Sequence, residues 1–510
     1  MMNTSLDLST RLSALVLALS ACVFANWATA AEGDLDLSFG YYMDGTAYLP
    51  IEDRLPGQFS DDNAVAILPQ SDGSTIMVGN INRTERHGPP TSFENIGIAK
   101  LRPEGTYEYA FGNGGGWLIL PGSAVAGNEI HAWSATQDLS GRIAIAGYRT
   151  VNGTRSMAIW MVTPTGALDP TFGANGVLTI DRGIPGSSDE ARSIIAPTQK
   201  DIVATNSTNA FAVAGSFRDS SGALSVGAMV PIAANGALYT GPRGTNSITA
   251  GPNANRRYTQ MPVPAAYAAC NTGTVAQAFR SLNTGIFVWS IVGNVICSDG
   301  SRRVMTTRLG TLDQTVAGYG SNGTTTFAFD SAAPARSQAL GVDLDSFGRA
   351  AIAGSTLQAD LVTPANMAAA LINVAGVPDG NFNGTGTRVL NWPSGSSSSG
   401  TNALVQRNGR ILISGSVVVA GEPLMALTRL LPTSATDPAW TIGIGRTYPF
   451  VIQSIPSPAR TTSSSFAIGE SVMLGGRVRD QRPSFTDIDY GAMRMQGDLI
   501  YANGWGIDDW

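Results

Sequence analysis

Ala167-Leu168-Asp169-Pro170-Thr171-Phe172-Gly173-Ala174-Asn175-Gly176-Val177 decides the fold, because the chain repeats it. An acid follows a leucine, an aromatic lies three residues on, and two glycines close the segment. Degraded copies are Asp34-Leu35-Asp36-Leu37-Ser38-Phe39-Gly40, Thr106 to Gly114, Ala237-Leu238-Tyr239 and Thr311-Leu312-Asp313 with Asn322-Gly323. Further copies are Pro378 to Phe382, Thr436 to Trp440, and a closing half-copy from Asp498 to Gly504. They align on positions 36, 108, 169, 239, 313, 379, 437 and 500, at intervals of 58 to 74 residues. That is seven units averaging about 66 residues.

A second register agrees. Each unit holds a short apolar run ending in glycine, as in Ile76-Met77-Val78-Gly79, Ile145-Ala146-Gly147, Val213-Ala214-Gly215, Ile291-Val292-Gly293, Ile352-Ala353-Gly354, Ile413-Ser414-Gly415 and Met473-Leu474-Gly475. Gly73, Gly141, Gly348, Gly409 and Gly469 stand six residues earlier. The spacing predicts a turn with a positive-φ residue, a β run, and a second glycine turn. A further strand precedes this hairpin, as at Ala64 to Leu68, and another follows it, as at Ala426 to Leu430. Each unit therefore reads as about four short strands. Seven such units predict an all-β, seven-bladed β-propeller, in which each blade buries its faces on its neighbours. A β-solenoid is the rival, but its coils are shorter and more uniform than these.

The Leu-Asp-x-x-Phe-Gly-x-x-Gly pattern of 168–176, with Asp72 to Ile76 and Ala426 to Leu430, resembles the delta-60 repeat of bacterial exported proteins. The resemblance covers essentially all of 33–504, closely at 167–177 and poorly at 236–309. It implies a propeller-like β fold and supplies no catalytic residues.

The 510-residue composition fits one folded unit: 43% hydrophobic, 14% charged, with 59 glycines for many tight turns. Net charge is −6, with Lys100 and Lys200 the only lysines, which argues against nucleic acid or an anionic membrane as partner. Residues 1–30 read as a signal peptide, with an apolar run from Leu12 to Phe24 and a small-x-small site at Ala28-Thr29-Ala30. Leu19-Ser20-Ala21-Cys22 also resembles a lipobox, which leaves a lipid anchor at Cys22 as the alternative. No other stretch is long and apolar enough to span a membrane. The expected product is a periplasmic or extracellular protein, or an outer-membrane lipoprotein. It comprises one domain, 31–510, with repeats near 33–104, 105–165, 166–235, 236–309, 310–375, 376–433 and 434–496 and a closing half-motif at 497–510. The half-motifs at both ends predict that one blade is completed from both termini. Cys270 and Cys297 read as one disulfide of an exported chain, against the alternative of two free thiols.

The recurrent acids Asp36, Glu108, Asp169, Asp313, Asp379 and Asp437 read as turn caps, and Phe39, Phe111, Phe172, Phe382 and Trp440 as packing between blades. The expectations for His87, Asp61-Asp62, Asp508-Asp509 and Ser396 to Ser399 are solvated loops. No nucleophile elbow, phosphate loop, zinc helix or full calcium loop occurs, so no catalytic residue, metal or cofactor is assigned. Asp62, Glu129, His131, Asp189 and Glu190 stand at or just before the strand that precedes the glycine hairpin, and Arg192 and Arg336 lie at similar places. If that strand is innermost, they gather at one mouth of the channel and form an acidic site for a cation or a polar ligand, with no catalytic role. The bland alternatives are a solvated loop face and, for His131, a satisfied polar residue at a strand end. Two functions remain: a non-catalytic exported propeller that binds a protein, glycan or surface component, or a channel-site lyase or hydrolase. A positioned acid and base converging in the channel would mark the second.

Overall fold

The computed structural model describes residues 33–496 apart from 52–58, 61, 85–91, 123–127, 197–208, 219–224, 241–243, 269, 273–276, 284–285, 311–312, 393–396, 441–444, 449, 453–454, 458, 467–470 and 480–487. Residues 1–30, which read as a signal peptide, with Cys22, and also His87, Asp61, Ser396, Gly469, Asp508-Asp509 and the half-copy at 498–504 lie outside the described residues. Seven antiparallel sheets of four or five strands follow one another along the chain, with a two-stranded hairpin, Phe450–Ile452 and Ile455–Ser457, between the last two. Blade two is typical, running outwards through Ile130–Gln137, Ile143–Val151, Thr154–Val162 and Val177–Ile180. The innermost strands of the seven blades are Asn63–Pro69, Ile130–Gln137, Glu190–Ile195, Gln277–Asn283, Ser337–Leu344, Ser397–Val405 and Ala459–Phe466. Each touches the next, and the seventh touches the first, so the sheets form a closed ring: a seven-bladed β-propeller. Among the described residues the one helical element is a 3-10 turn at Ala265–Tyr267.

The second strands are apolar along most of their length because both faces are covered. In Ile143–Val151 the first six residues are buried. Their cores lie between blades: Met157 and Ile159 of blade two meet Ile194, Phe211 and Val213 of blade three.

The repeat and the blade are out of frame by one strand. Leu168-Asp169 lies between the third and outermost strands of blade two, with Leu168 bridged back to Val162. A sequence unit therefore supplies the outermost strand of one blade and the three inner strands of the next. The first unit's outer strand, Thr46–Leu49, consequently has no preceding blade and completes blade seven. It pairs with Ile488–Met495 in the register Ala47↔Ala492. The Gly33 N–H also donates to the Gln496 carbonyl at 3.0 Å.

The two glycines of the hairpin do different work. The first is the expected turn, with φ of +81° at Gly141. The second is not a turn: Gly147 lies inside its strand, opposite Ala132. There the innermost strand carries a β-bulge between Ala132 and Ser134. A Cβ on Gly147 would stand 1.7 Å from the His131 carbonyl oxygen, so only glycine fits. The same bulge recurs opposite Gly79, Gly215, Gly354, Gly415 and Gly476. In blade seven the bulge thus faces Gly476, one residue beyond the glycine that the repeat pattern selects.

The motif acids cap turns. The Thr171 N–H donates to Asp169 Oδ1 at 2.9 Å and the Ala439 N–H to Asp437 Oδ1 at 3.0 Å. Arginines add to them, as in Arg142–Asp169 at 3.1 Å and Arg494–Asp36 at 2.7 Å. Asp313 is the exception. The backbone bond that Asp169 makes to Met161 is made in the later unit by Val316 to Arg308, so Val316 holds the motif position. Asp313 instead occupies the preceding turn at φ +62°, and Tyr319 is the aromatic that this unit contributes. The aromatics Phe39, Phe111, Phe172 and Trp440 pack under the turn of a neighbouring repeat, against Gly105, Gly166, Gly236 and Gly33. Ser397 to Ser399 are not a loop tip: they open the innermost strand of blade six, where the Met367 N–H donates to Ser398 Oγ.

Cys270 and Cys297 form a disulfide with Cα atoms 4.2 Å apart. It ties the segment entering blade four to the hairpin that follows strand Ile286–Ile296.

Candidate functional site

Innermost strands of successive blades start at the same mouth of the ring. Asp62, Glu129 and Asp189 immediately precede the innermost strands of blades one, two and three. The mouth is shared with the hairpins between second and third strands, since the Thr150 N–H donates to the Glu129 carbonyl. The structure does not gather all the sequence-selected residues into one acidic cluster.

Asp62 is wholly buried, not part of a solvated loop, and sits beside blade seven. Burial and then the charges of Asp62 and Glu94 hold the Tyr490 hydroxyl well above the usual tyrosine range. Asp189 is also buried, and its carboxylate takes two bonds from Arg182 at 2.6 and 2.7 Å and one from the Arg218 N–H. Its pKa is raised, chiefly by burial, with Arg182 opposing. Arg336 immediately precedes the innermost strand of blade five, away from the others.

Glu129, His131, Glu190 and Arg192 do come together, with Trp133, Tyr148 and Arg155, which the sequence pattern did not single out. Bulges do the aiming. Trp133 is the extra residue of the bulge in blade two, and Arg192 that of the bulge in blade three. The Arg192 guanidinium lies 3.6 Å over the Trp133 ring. Trp133 contacts His131 with ring centroids 4.0 Å apart. His131 stacks on Tyr148 at 5.3 Å with planes 8° apart, and the Arg155 guanidinium lies 3.9 Å from the centre of the Tyr148 ring. Glu190 closes the circuit, bonding Arg155 at 2.6 Å and Arg192 at 2.5 Å. Six side chains from two blades thus form a closed loop of stacked rings and ion pairs. Glu129 stands outside it, 4.0 Å from Arg155, with about half its side chain exposed (54%).

His131 is held at both nitrogens. Its Nδ1 lies 2.7 Å from Glu94 Oε2, and its Nε2 lies 3.4 Å from Asn80 Nδ2. A carboxylate only accepts and an amide nitrogen only donates, so the partners select the Nδ1–H tautomer. Burial pushes the Tyr148 hydroxyl up to about 12, with Arg155 opposing. Burial lowers the pKa of Arg192, partly offset by Glu190. The indole Nε1 of Trp133 is buried without a hydrogen-bond partner among the described residues.

Tyr148 had a signal in the sequence: it breaks the repeat. Asn80 and Asn294 occupy the equivalent place after the strand glycine, and each clamps the backbone of the next innermost strand, at Ala132 and Ala339. Ser416 similarly accepts from the Thr461 N–H. At Tyr148 the clamp is replaced by an aromatic that packs against His131 and Arg155. No group of three or more metal-ligating side chains occurs among the described residues, and no described helix is long and apolar enough to cross a membrane.

A family model described as "Domain of unknown function (DUF5122) beta-propeller" matches residues 140–172, the second hairpin of blade two and its motif. No curated protein matches the chain. A solved structure of unknown function from Dyadobacter fermentans is similar at 10% identity over 89% of this chain and 100% of that one, with a TM-score of 0.37. The β-propeller domain of the Trilobed protease from Pyrococcus furiosus is similar at 8% identity over 86% and 94%, TM-score 0.37. The polysaccharide lyase Uly1 is similar at 8% over 92% and 97%, TM-score 0.42. At this level of similarity neither residue roles nor activities carry across.

Proposed function

We propose that the chain is an exported propeller of the delta-60 repeat type that binds a protein, glycan or surface component at this mouth without converting it. The observation that carries this reading is the engagement of His131 by Glu94 and Asn80. Both contacts anchor the imidazole within the loop of stacked rings and ion pairs. The rings of Trp133 and Tyr148 are already engaged by His131 and the two arginines. A ligand would therefore meet the polar rim, Glu129 and the partly exposed Arg155, on a rigid base. Export rests on the leader-like residues 1–30 and agrees with the disulfide.

The test uses the processed protein and a Glu129→Ala/Arg155→Ala variant on arrays of glycans and secreted proteins, with product analysis on every ligand bound. The reading predicts saturable binding that the variant weakens by roughly tenfold or more, and no product. Conversion of a bound ligand that Tyr148→Phe abolishes would replace it with a channel-site lyase or hydrolase. Unchanged binding by the double variant would remove this mouth as the site.

A further inference from the structure

A second concavity opens at the same mouth on the far side of the ring, between blades six and seven. Its volume is about 320 Å³, at the lower end of the range for small-molecule sites, about 300–1,000 Å³. One wall is the hairpin of blade six at Gly421, Glu422 and Pro423; the other carries Arg460, Arg477 and Arg479 of blade seven. Arg460 and Arg477 are direct cross-strand partners, and Arg479 lies two residues further along the strand of Arg477. Like charges placed opposite each other on a sheet repel. Arg460 and Arg479 are exposed and make no side-chain hydrogen bond or ion pair among the described residues. Elsewhere this chain sets arginine against a carboxylate, as at Arg142, Arg182, Arg349 and Arg494. Here no carboxylate among the described residues pairs with Arg460 or Arg479, and Glu422 lines the opposite wall.

The geometry points to a binding site for an acidic sugar, with its oxyanion on Arg460 and Arg479 of blade seven and a ring hydroxyl donating to Glu422. Guanidinium groups supply forked donors that fit carboxylate and sulfate alike. Glu422 accepts only, so it favours a hydroxyl-bearing ligand and repels a bare anion. The site stands independently of the Glu129–Arg155 mouth.

Ligand-observed NMR titration of the full protein with glucuronate, glucose 6-sulfate, glucose and inorganic sulfate tests this. Both acidic sugars should bind at least roughly tenfold more tightly than glucose or inorganic sulfate, and more weakly at high ionic strength. Arg460→Gln/Arg479→Gln should abolish that preference with thermal stability retained, because neither side chain holds structure together. Glu422→Gln should weaken the acidic sugars while strengthening inorganic sulfate. If glucose or sulfate binds as well as the acidic sugars, if the arginine variant binds them unchanged, or if Glu422→Gln moves sugar and sulfate together, the assignment fails. The preference of glucuronate over glucose 6-sulfate, or the reverse, identifies which oxyanion the arginines fit.

Discussion

Asp343 makes the stability of the ring depend on pH in the direction opposite to most acids. It lies near the end of the innermost strand of blade five and is 7% exposed. Its Oδ1 accepts the Leu344 N–H and its Oδ2 the Val405 N–H of blade six, each at 2.7 Å, so it joins two innermost strands. Burial raises its pKa from 3.8 to about 7, the two N–H donors oppose the rise, and Asp345 adds to it. The folded chain therefore keeps a proton that the unfolded chain has released. Its contribution is complete below pH 3.8 and is lost as pH rises to about 7. The slope is at most about 1.4 kcal/mol per pH unit, or roughly 4 kcal/mol over the window. Asp343→Asn removes the titration. The amide oxygen can accept one of the two N–H groups, and its nitrogen cannot accept the other, a cost of about 1–3 kcal/mol. Denaturant unfolding of both proteins between pH ~4.5 and ~8 should show the wild-type advantage shrinking by about 3 kcal/mol as pH rises. A difference that stays constant, or grows with pH, would refute the argument, since all other titrating groups are shared.

Gly147→Ala forces a Cβ to 1.7 Å from the His131 carbonyl and should cost roughly 2–4 kcal/mol in thermal unfolding. Gly153→Ala, with no atom within 4 Å but φ +79°, should cost only about 1 kcal/mol. Replacing Cys270 and Cys297 by serine opens a 27-residue loop and should cost about 3 kcal/mol, while peptide mapping of the native protein recovers the cross-linked pair. Asp169→Ala removes the Thr171 turn cap and the Arg142 bond, and should cost about 1–2 kcal/mol without changing ligand binding. Equal loss of binding would make that acid part of a site.

The fold was legible because most repeats keep the residues that the ring needs: the turn acid, the aromatic under the next turn, and the glycine opposite the bulge. The frame was not, because the connection between third and outermost strands carries the most recognisable motif and looks like a beginning. Asp313 misled for a related reason: Leu312-Asp313 imitates the motif three residues before Val316, where the backbone places it. Of the mouth, Glu129, His131, Glu190 and Arg192 could be selected by position, whereas Trp133 is aimed by a bulge that no local composition reveals. Arg460, Arg477 and Arg479 lie across strand partners, and their shared cleft with Glu422 exists only once blades six and seven meet.

Both binding proposals require a closed ring, since only then do the innermost strands start at one mouth. The most direct test is a cross-link across the closure. Ala47 and Ala492 are register partners, and such pairs place Cα atoms about 4.5–5.5 Å apart, within disulfide reach. The account predicts that Ala47→Cys/Ala492→Cys forms a second disulfide beside Cys270–Cys297, found by non-reducing peptide mapping of a monomer more heat-stable than the parent. Free thiols at 47 and 492, or a cross-link between two chains, would contradict it.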